Sequence, residues 1–220
     1  MQDIVLAARD RLKSLSKWSG VTTGEVRKAS SAIYKTIEDK SIDNIFMLCE
    51  QLLNEREWAL GIIAYDWVYR VRNQYDDNTF PIFERWLKEY ITGWGDCDDF
   101  CTHAFGELLS QKNELFPHLV KWTKDPNYRV RRAASVVLIY PIKKNKYKDM
   151  DPFLISDALM NDEHYLVQKG YGWMLKILSQ MEKDKVFDYL NKNKTIMPRL
   201  AFRYALEKFD KETKQLLMKD

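Results

Sequence analysis

The feature that most constrains the fold of this chain is an internal repeat of helical character. Asp125-Pro-Asn-Tyr128-Arg-Val130-Arg-Arg132-Ala133 lies over Asp162-Glu-His-Tyr165-Leu-Val167-Gln-Lys169-Gly170 at an offset of 37 residues. An Asp, a Tyr, a Val, a basic residue and a small residue coincide at that offset. A fainter echo places Trp58 and Leu60 70 residues before Tyr128 and Val130, close to twice the period. Repeats of roughly 35 to 47 residues built from helix pairs are the mark of α-solenoids, in which each unit buries its apolar face only against its neighbours.

Composition agrees with an all-α chain. Apolar residues make up 45% of the sequence and aromatics 13%, enough for a continuous core, whereas eight glycines and six prolines are too few for the closely spaced turns of an all-β fold. The expected architecture is therefore an α-solenoid of HEAT-like helix pairs, residues 1–220 forming one domain with a basic concave groove. Periodicity predicts an opening helix from Ile4 to Trp18 ending at Gly20. A second follows Thr22-Thr23-Gly24-Glu25, which resembles a capping box. Later helices fall at about 42–53, 56–71, 79–91, 96–110, 114–123, 127–140, 150–159, 163–180, 183–191, 197–207 and 210–218. No run reaches the roughly 18 apolar residues that span a bilayer, and the first sixteen or so residues lack the apolar block of a signal peptide. A cytoplasmic protein is expected, and three cysteines, an odd number, suit a reducing compartment.

Charge is unevenly placed. Between Lys112 and Lys148 stand ten basic residues, among them Lys143 and Lys144, against two acidic ones; the chain as a whole is only +3. Arg129, Arg131 and Arg132 crowd the start of one helix, where they oppose the helix dipole unless an anion lies close. The alternative is that they are solvated or paired with carboxylates of a neighbouring helix. In a solenoid, equivalent positions such as Arg132 and Lys169 line one surface, and Arg199 and Arg203 open a further helix. That track suits a polyanion.

A second unusual stretch is Gly93-Trp94-Gly95-Asp96-Cys97-Asp98-Asp99-Phe100-Cys101-Thr102-His103. Capping and dipole compensation account for one or two of its three carboxylates, but not for a tryptophan set between two glycines. Cys97, Cys101 and His103 do not complete a four-ligand metal set, and the cysteines read as buried side chains, as does Cys49. Trp173 has the periodicity of a core residue. Gly170 and Gly172 weaken the helix around it, which close approach of a partner would explain. There is no Gly-x-Ser-x-Gly elbow, Walker loop or dinucleotide fingerprint, so no cofactor and no metal is expected.

Trp94-x-x-x-Asp98, Asn127-x-x-x-x-Arg132-Ala133 and Gly172-Trp173, in that order and spacing, resemble the DNA alkylation repair glycosylases of the AlkD type, which are built from HEAT-like repeats. Glu55-Arg56-Glu57-Trp58 and Pro198-Arg199-Leu200-Ala201-Phe202-Arg203 add to the likeness, which spans about residues 40–218. The resemblance implies a DNA glycosylase that removes N3- or N7-alkylated purines from duplex DNA and leaves the lesion in the duplex. The site it implies is Trp94, Asp98, Arg132 and Trp173. Asp96 and Asp99 flank Asp98 with the same chemistry, and Arg129 stands where the family often has an aromatic.

The implied chemistry suits these side chains. An alkylated purine is cationic and already a good leaving group, so the need is to stabilise an oxocarbenium-like sugar, the task of a fixed carboxylate such as Asp98. Indole faces attract positive charge, and an arginine such as Arg132 positions a phosphate. DNA contacts are expected from Arg129, Arg131, Arg132, Lys143, Lys144, Lys169, Arg199 and Arg203 of a monomer. Two other functions fit the same sequence: a family member that binds DNA without cutting it, and a scaffold whose groove holds an acidic protein.

Overall fold

A computed structural model describes residues 3–15 and 21–218. The chain divides into two compact units, residues 1–108 and 109–220. Among the described residues all regular structure is helical.

Unit 1 contains α1 (Ile4–Lys13), α2 (Thr23–Thr36), α3 (Ile42–Asn54), α4 (Trp58–Arg70), α5 (Thr79–Glu89) and α6 (Trp94–Phe100). Of the expected opening helix, Trp18 and Gly20 lie outside the described residues. α2 starts as its sequence predicts: Glu25 N donates to Thr22 Oγ1 at 3.3 Å and the Glu25 carboxylate accepts from Thr22 N at 2.9 Å. Helices two apart in sequence pack together, α1 on α3, α2 on α4 and α4 on α6, as helix-pair repeats require. The core is aromatic. Tyr65 stacks on Phe100 with centroids 4.6 Å apart, and Phe83 meets Phe100 edge-on at 5.0 Å. Trp86 and Phe105 are fully buried beside them, and Trp67 is fully buried near Tyr34, its indole N–H donating to the Ser30 carbonyl.

Unit 2 contains α7 (Gly106–Gln111, reaching back across the boundary), α8 (Phe116–Trp122), α9 (Tyr128–Val136), α10 (Ile139–Lys143), α11 (Pro152–Ala158), α12 (Tyr165–Leu178), α13 (Lys183–Asn193), α14 (Arg199–Leu206) and α15 (Lys211–Met218). Here α9 packs on α12, α12 on α14, and α8 on α11, so equivalent helices of successive repeats stack. The sequence repeat is a repeated helix start. Asp125 Oδ1 accepts the backbone N–H of Asn127, and Asp162 Oδ1 accepts that of His164. Asn127 and His164 then cap α9 and α12. Even the guanidinium of Arg131, donating to Asp125 O at 2.9 Å, has its counterpart 37 residues on in Gln168 Nε2, 2.8 Å from Asp162 O.

Two predicted helices are interrupted. The apolar run 127–140 breaks after Val136 and resumes as α10. The stretch 96–110 contains a π-turn over Cys101–Phe105, where the Thr102 hydroxyl donates to the Asp98 carbonyl at 2.7 Å. His103 Nδ1 lies 2.9 Å from the Asp99 carbonyl, which makes Nδ1 the protonated nitrogen.

Candidate active-site cleft and nucleic-acid interface

The Gly93–His103 stretch forms one wall of a cleft of about 640 Å³ that lies wholly within unit 1. α6 begins at Trp94 because Asp96, in the first turn, reaches back to accept from Thr92 N at 3.2 Å and Thr92 Oγ1 at 2.6 Å. Phe100 pins the other side of the helix in the aromatic core. Trp94, Asp98 and Thr102, four residues apart, consequently share a face, and all three line the cleft. Trp94 is 60% exposed, in contrast to the buried tryptophans of the core.

The structure separates the three carboxylates by role. Asp96 is buried and holds the Thr92 turn. Asp99 pairs with the Arg27 guanidinium of α2 and has His103 Nδ1 3.8 Å away, while its Oδ2 is buried with no hydrogen-bond partner. Burial raises the Asp99 carboxyl above its ordinary value, with Arg27 and His103 opposing. Arg27 also lies 3.8 Å from Asp66, a buried carboxylate bonded to Ser30 Oγ and Arg70 Nε. Asp98 is half-buried in the cleft wall.

One cleft residue lies outside the Trp94–Asp98 motif. Trp58, at the start of α4, is 42% exposed and lines the same cleft. A Cβ on Gly95 would sit 3.6 Å from its indole Nε1, so the glycine lets this tryptophan lie against the α6 backbone. Its sequence mark is its place in Glu55-Arg56-Glu57-Trp58, at a helix start where an apolar ring has little of its own helix to pack on.

Cys97 and Cys101 are buried with sulfurs 4.0 Å apart, and Cys49 is buried too. Among the described residues no three His, Cys, Asp or Glu side chains gather as a metal-ligand set, and no helix is long and apolar enough to cross a membrane.

In unit 2 the arginine cluster divides. Arg131 bonds Asp162 through Nε at 2.6 Å and turns its Nη1 to the carbonyls of Asp125 and Pro126, so this cation is paired with a neighbouring repeat. Arg132 departs from the expectation of an exposed phosphate contact. It is 5% exposed, donates from Nη1 to the Leu166 carbonyl, and packs along Gly170. Arg129 is half-buried over the Tyr128 ring at 5.0 Å.

The exposed cations lie elsewhere on the unit. Lys143, Lys144, Arg199 and Arg203 are exposed. Lys169 is held over two rings, 5.3 Å from the Tyr165 centroid and 5.8 Å from that of Tyr204. Tyr165, Lys169 and Trp173 fall at four-residue intervals on one face of α12, and Trp173 is half-buried instead of being core. The glycines beside it answer to the protein's own packing and not to a partner's. A Cβ at Gly172 would lie 2.6 Å from the Ala201 carbonyl oxygen of α14, and one at Gly170 3.0 Å from Ser135 Oγ of α9.

Fold and side chains together define a helical-repeat protein with an acidic, tryptophan-lined cleft in one unit and exposed cations, Lys143, Lys144, Arg199 and Arg203, on the other. The chain belongs to the DNA alkylation repair enzyme family, whose sequence profile matches residues 8–209. Two solved structures share its fold. One, described as a predicted DNA alkylation repair enzyme from Enterococcus faecalis, aligns over 96% of each chain with a TM-score of 0.67 at 15% identity. The other, AlkD2 from Streptococcus mutans, aligns over 95% of this chain and 98% of its own with a TM-score of 0.66 at 20% identity. No curated protein sequence matches the chain.

Proposed function

We propose that this protein is a DNA glycosylase that hydrolyses the N-glycosidic bond of N3- or N7-alkylated purines in duplex DNA, acting as a cytoplasmic monomer without a cofactor. The observation that carries the reading is the pairing of an exposed indole, Trp94, with a carboxylate one helical turn away, Asp98, on the wall of one cleft. Asp98 is assigned to stabilise the oxocarbenium-like sugar and orient water. Its place on the cleft wall, one helical turn from Trp94, supports that assignment.

Protonation of the leaving group is not needed, since alkylation has already made the purine cationic. Trp94 presents a π-face to that charge. Lys143, Lys144, Lys169, Arg199 and Arg203 are assigned to phosphates, and Arg129 and Trp173 to further DNA contact. Arg132 is a positioning residue: by bonding Leu166 it fixes the start of the helix that carries Lys169 and Trp173. Arg131 acts in the same indirect way through Asp162.

The test is release of 7-methylguanine and 3-methyladenine from methylated duplex DNA, followed by chromatography, with Asp98→Asn in parallel. Release by the wild type alone is expected. Equal release by the variant removes Asp98 from its role, and absence of release with duplex binding intact makes the protein a DNA-binding member of the family.

A further inference from the structure

Three helices of unit 1 wall the cleft, and one side chain joins all three. α2 contributes Thr23, α4 contributes Trp58 and Ile62, and α6 contributes Trp94 and Asp98. Four-residue spacing carries the first two faces one turn further, from Thr23 to Arg27 and from Ile62 to Asp66. There the Arg27 guanidinium meets a carboxylate from each neighbouring helix. Its Nη2 donates to Asp99 Oδ1 of α6, and its Nη1 lies 3.8 Å from Asp66 Oδ1 of α4. Both carboxylate side chains are only 10% exposed, so water is a poor substitute for the guanidinium at either. α2 and α4 have a second tie, because Ser30 Oγ donates to Asp66 Oδ2. α6 is held differently. It is seven residues long and runs straight into the π-turn, and its Phe100 contact is apolar and non-directional. Asp96 fixes the Thr92 turn at its start. The bond from Arg27 to Asp99, the residue next to Asp98, supplies a direction that those contacts lack.

We infer that Arg27 is a positioning residue for the reaction: by bridging Asp66 and Asp99 through separate guanidinium nitrogens, it fixes the face of α6 that carries Trp94 and Asp98 against the faces of α2 and α4 that complete the cleft. Arg27 does not line the cleft itself and acts through Asp99. Without it α2 and α4 stay joined through Ser30 and Asp66, while α6 is left with a buried carboxylate whose remaining cationic neighbour is His103, 3.8 Å away. A reacting group misplaced by about 1 Å can lose on the order of 10²-fold in rate, so the effect falls on chemistry more than on binding. The inference rests on the glycosylase reading for the reaction that Asp98 serves; the placement of α6 rests on the ion pairs alone.

The experiment compares the full chain with Arg27→Met, Arg27→Lys and Arg70→Met, by excision kinetics on methylated duplex DNA and by hydrogen exchange read by mass spectrometry. Arg70 is the control, since its Nε bonds Asp66 at 2.9 Å in the same network but it belongs to α4 and does not bridge to α6. Arg27→Met is expected to lower kcat between about tenfold and about a hundredfold with KM within about twofold, and to speed exchange across 94–103 at least about tenfold. Arg27→Lys keeps the charge but has one nitrogen for two carboxylates, so it is expected to recover part of the loss. Arg70→Met is expected to keep kcat within about twofold and to leave exchange across 94–103 unchanged. Circular dichroism reports folding, and a partial loss of kcat in Arg27→Lys keeps the test decisive if the Met variant does not fold. Equal losses in Arg27→Met and Arg70→Met, a loss confined to KM, or wild-type kcat and exchange in folded Arg27→Met overturns the inference. No release of base by the wild type overturns the glycosylase reading instead, and exchange across 94–103 then decides the placement of α6 by itself.

Discussion

Residues 1–108 carry 13 Lys and Arg against 18 Asp and Glu, whereas residues 109–220 carry 22 against 14, so one unit is net negative and the other net positive. Both units place aromatic side chains at the surface, but with opposite company. In unit 1 exposed Trp58 and Trp94 share a cleft with carboxylates; in unit 2 the rings of Tyr128, Tyr165 and Tyr204 lie beneath Arg129 and Lys169. An indole beside carboxylates attracts a cation, and a ring beneath a cation holds that cation in place for an anion. Under the glycosylase reading the chemistry of the charged base and sugar therefore belongs to unit 1, and holding the phosphate backbone belongs to unit 2.

The sharpest way to break this comparison is Asp98→Asn. Losing one preorganised charge at a reacting centre costs on the order of 10²–10³-fold in rate, so excision of 7-methylguanine is expected to fall by at least that factor. Duplex affinity, carried by unit 2, is expected to stay within about twofold, because a uniform loss would need a lost phosphate contact. A comparable loss in both, measured by chromatography and by fluorescence anisotropy, would show that the units do not divide the work.

Next in size are two glycines, one from each unit. Gly172→Ala forces a methyl against the Ala201 carbonyl, a backbone atom that cannot swing aside. Overpacking of this kind costs about 1–3 kcal/mol, against which stands a helix-propensity gain of up to about 1 kcal/mol, so a net loss of stability is expected. Gly24 of α2 has nothing within 4 Å of the same added methyl, so Gly24→Ala is expected to stabilise by up to about 1 kcal/mol. Urea midpoints at unchanged slope measure both. Equal midpoints for the two variants would mean that α12 and α14 have room to part.

Those glycines also mark the limit of what the sequence discloses. Gly170 and Gly172 are visible as weak points in a helix, but the atoms that fill the space, Ser135 Oγ and the Ala201 carbonyl, belong to helices about 30 residues away in each direction. The same holds for Arg132. An arginine at a polar helix start reads as exposed, and only the stacking of α9 on α12 shows its guanidinium turned to the Leu166 carbonyl. Helix starts were legible because their chemistry is local: Thr22 with Glu25, and Asp125 and Asp162 two residues before their caps. The break after Val136 was not, since 130 and 132–142 are buried and an unbroken apolar run carries no alternation to show a change of direction. Trp94 and Asp98 could be paired by their four-residue spacing, while Trp58 reaches the same cleft only because α4 packs on α6.

Salt gives a finer measure of the basic unit. If Lys143, Lys144, Arg199 and Arg203 each neutralise one phosphate, each replacement by Ala lowers the slope of log affinity against log salt by about 0.9. Arg131→Ala is expected to leave the slope unchanged while lowering stability, because that guanidinium is already bonded to Asp162 and to the Asp125 and Pro126 carbonyls. A reduced slope for Arg131→Ala would place it on the phosphate backbone after all.

The smallest effect concerns the last helix and its response to acid. Asp210 precedes α15, where its carboxylate accepts from Thr213 N at 2.8 Å and Thr213 Oγ1 at 2.9 Å and lies 3.1 Å from Lys183 Nζ. These bonds to Thr213, with Lys183 adding to them, hold the Asp210 carboxyl well below its ordinary value. A carboxyl depressed in the folded state binds protons more readily once unfolded, so its contribution is present above the ordinary carboxylate range and is lost as pH falls toward the depressed value. Amide protection across α15 is thus expected to decline between about pH 4 and about pH 2 in the wild type. Asp210→Asn keeps a capping oxygen but has no charge to lose, so over the same interval its α15 should show a flatter profile by hydrogen exchange. A decline as steep in the variant as in the wild type would assign the acid sensitivity to other carboxylates of unit 2.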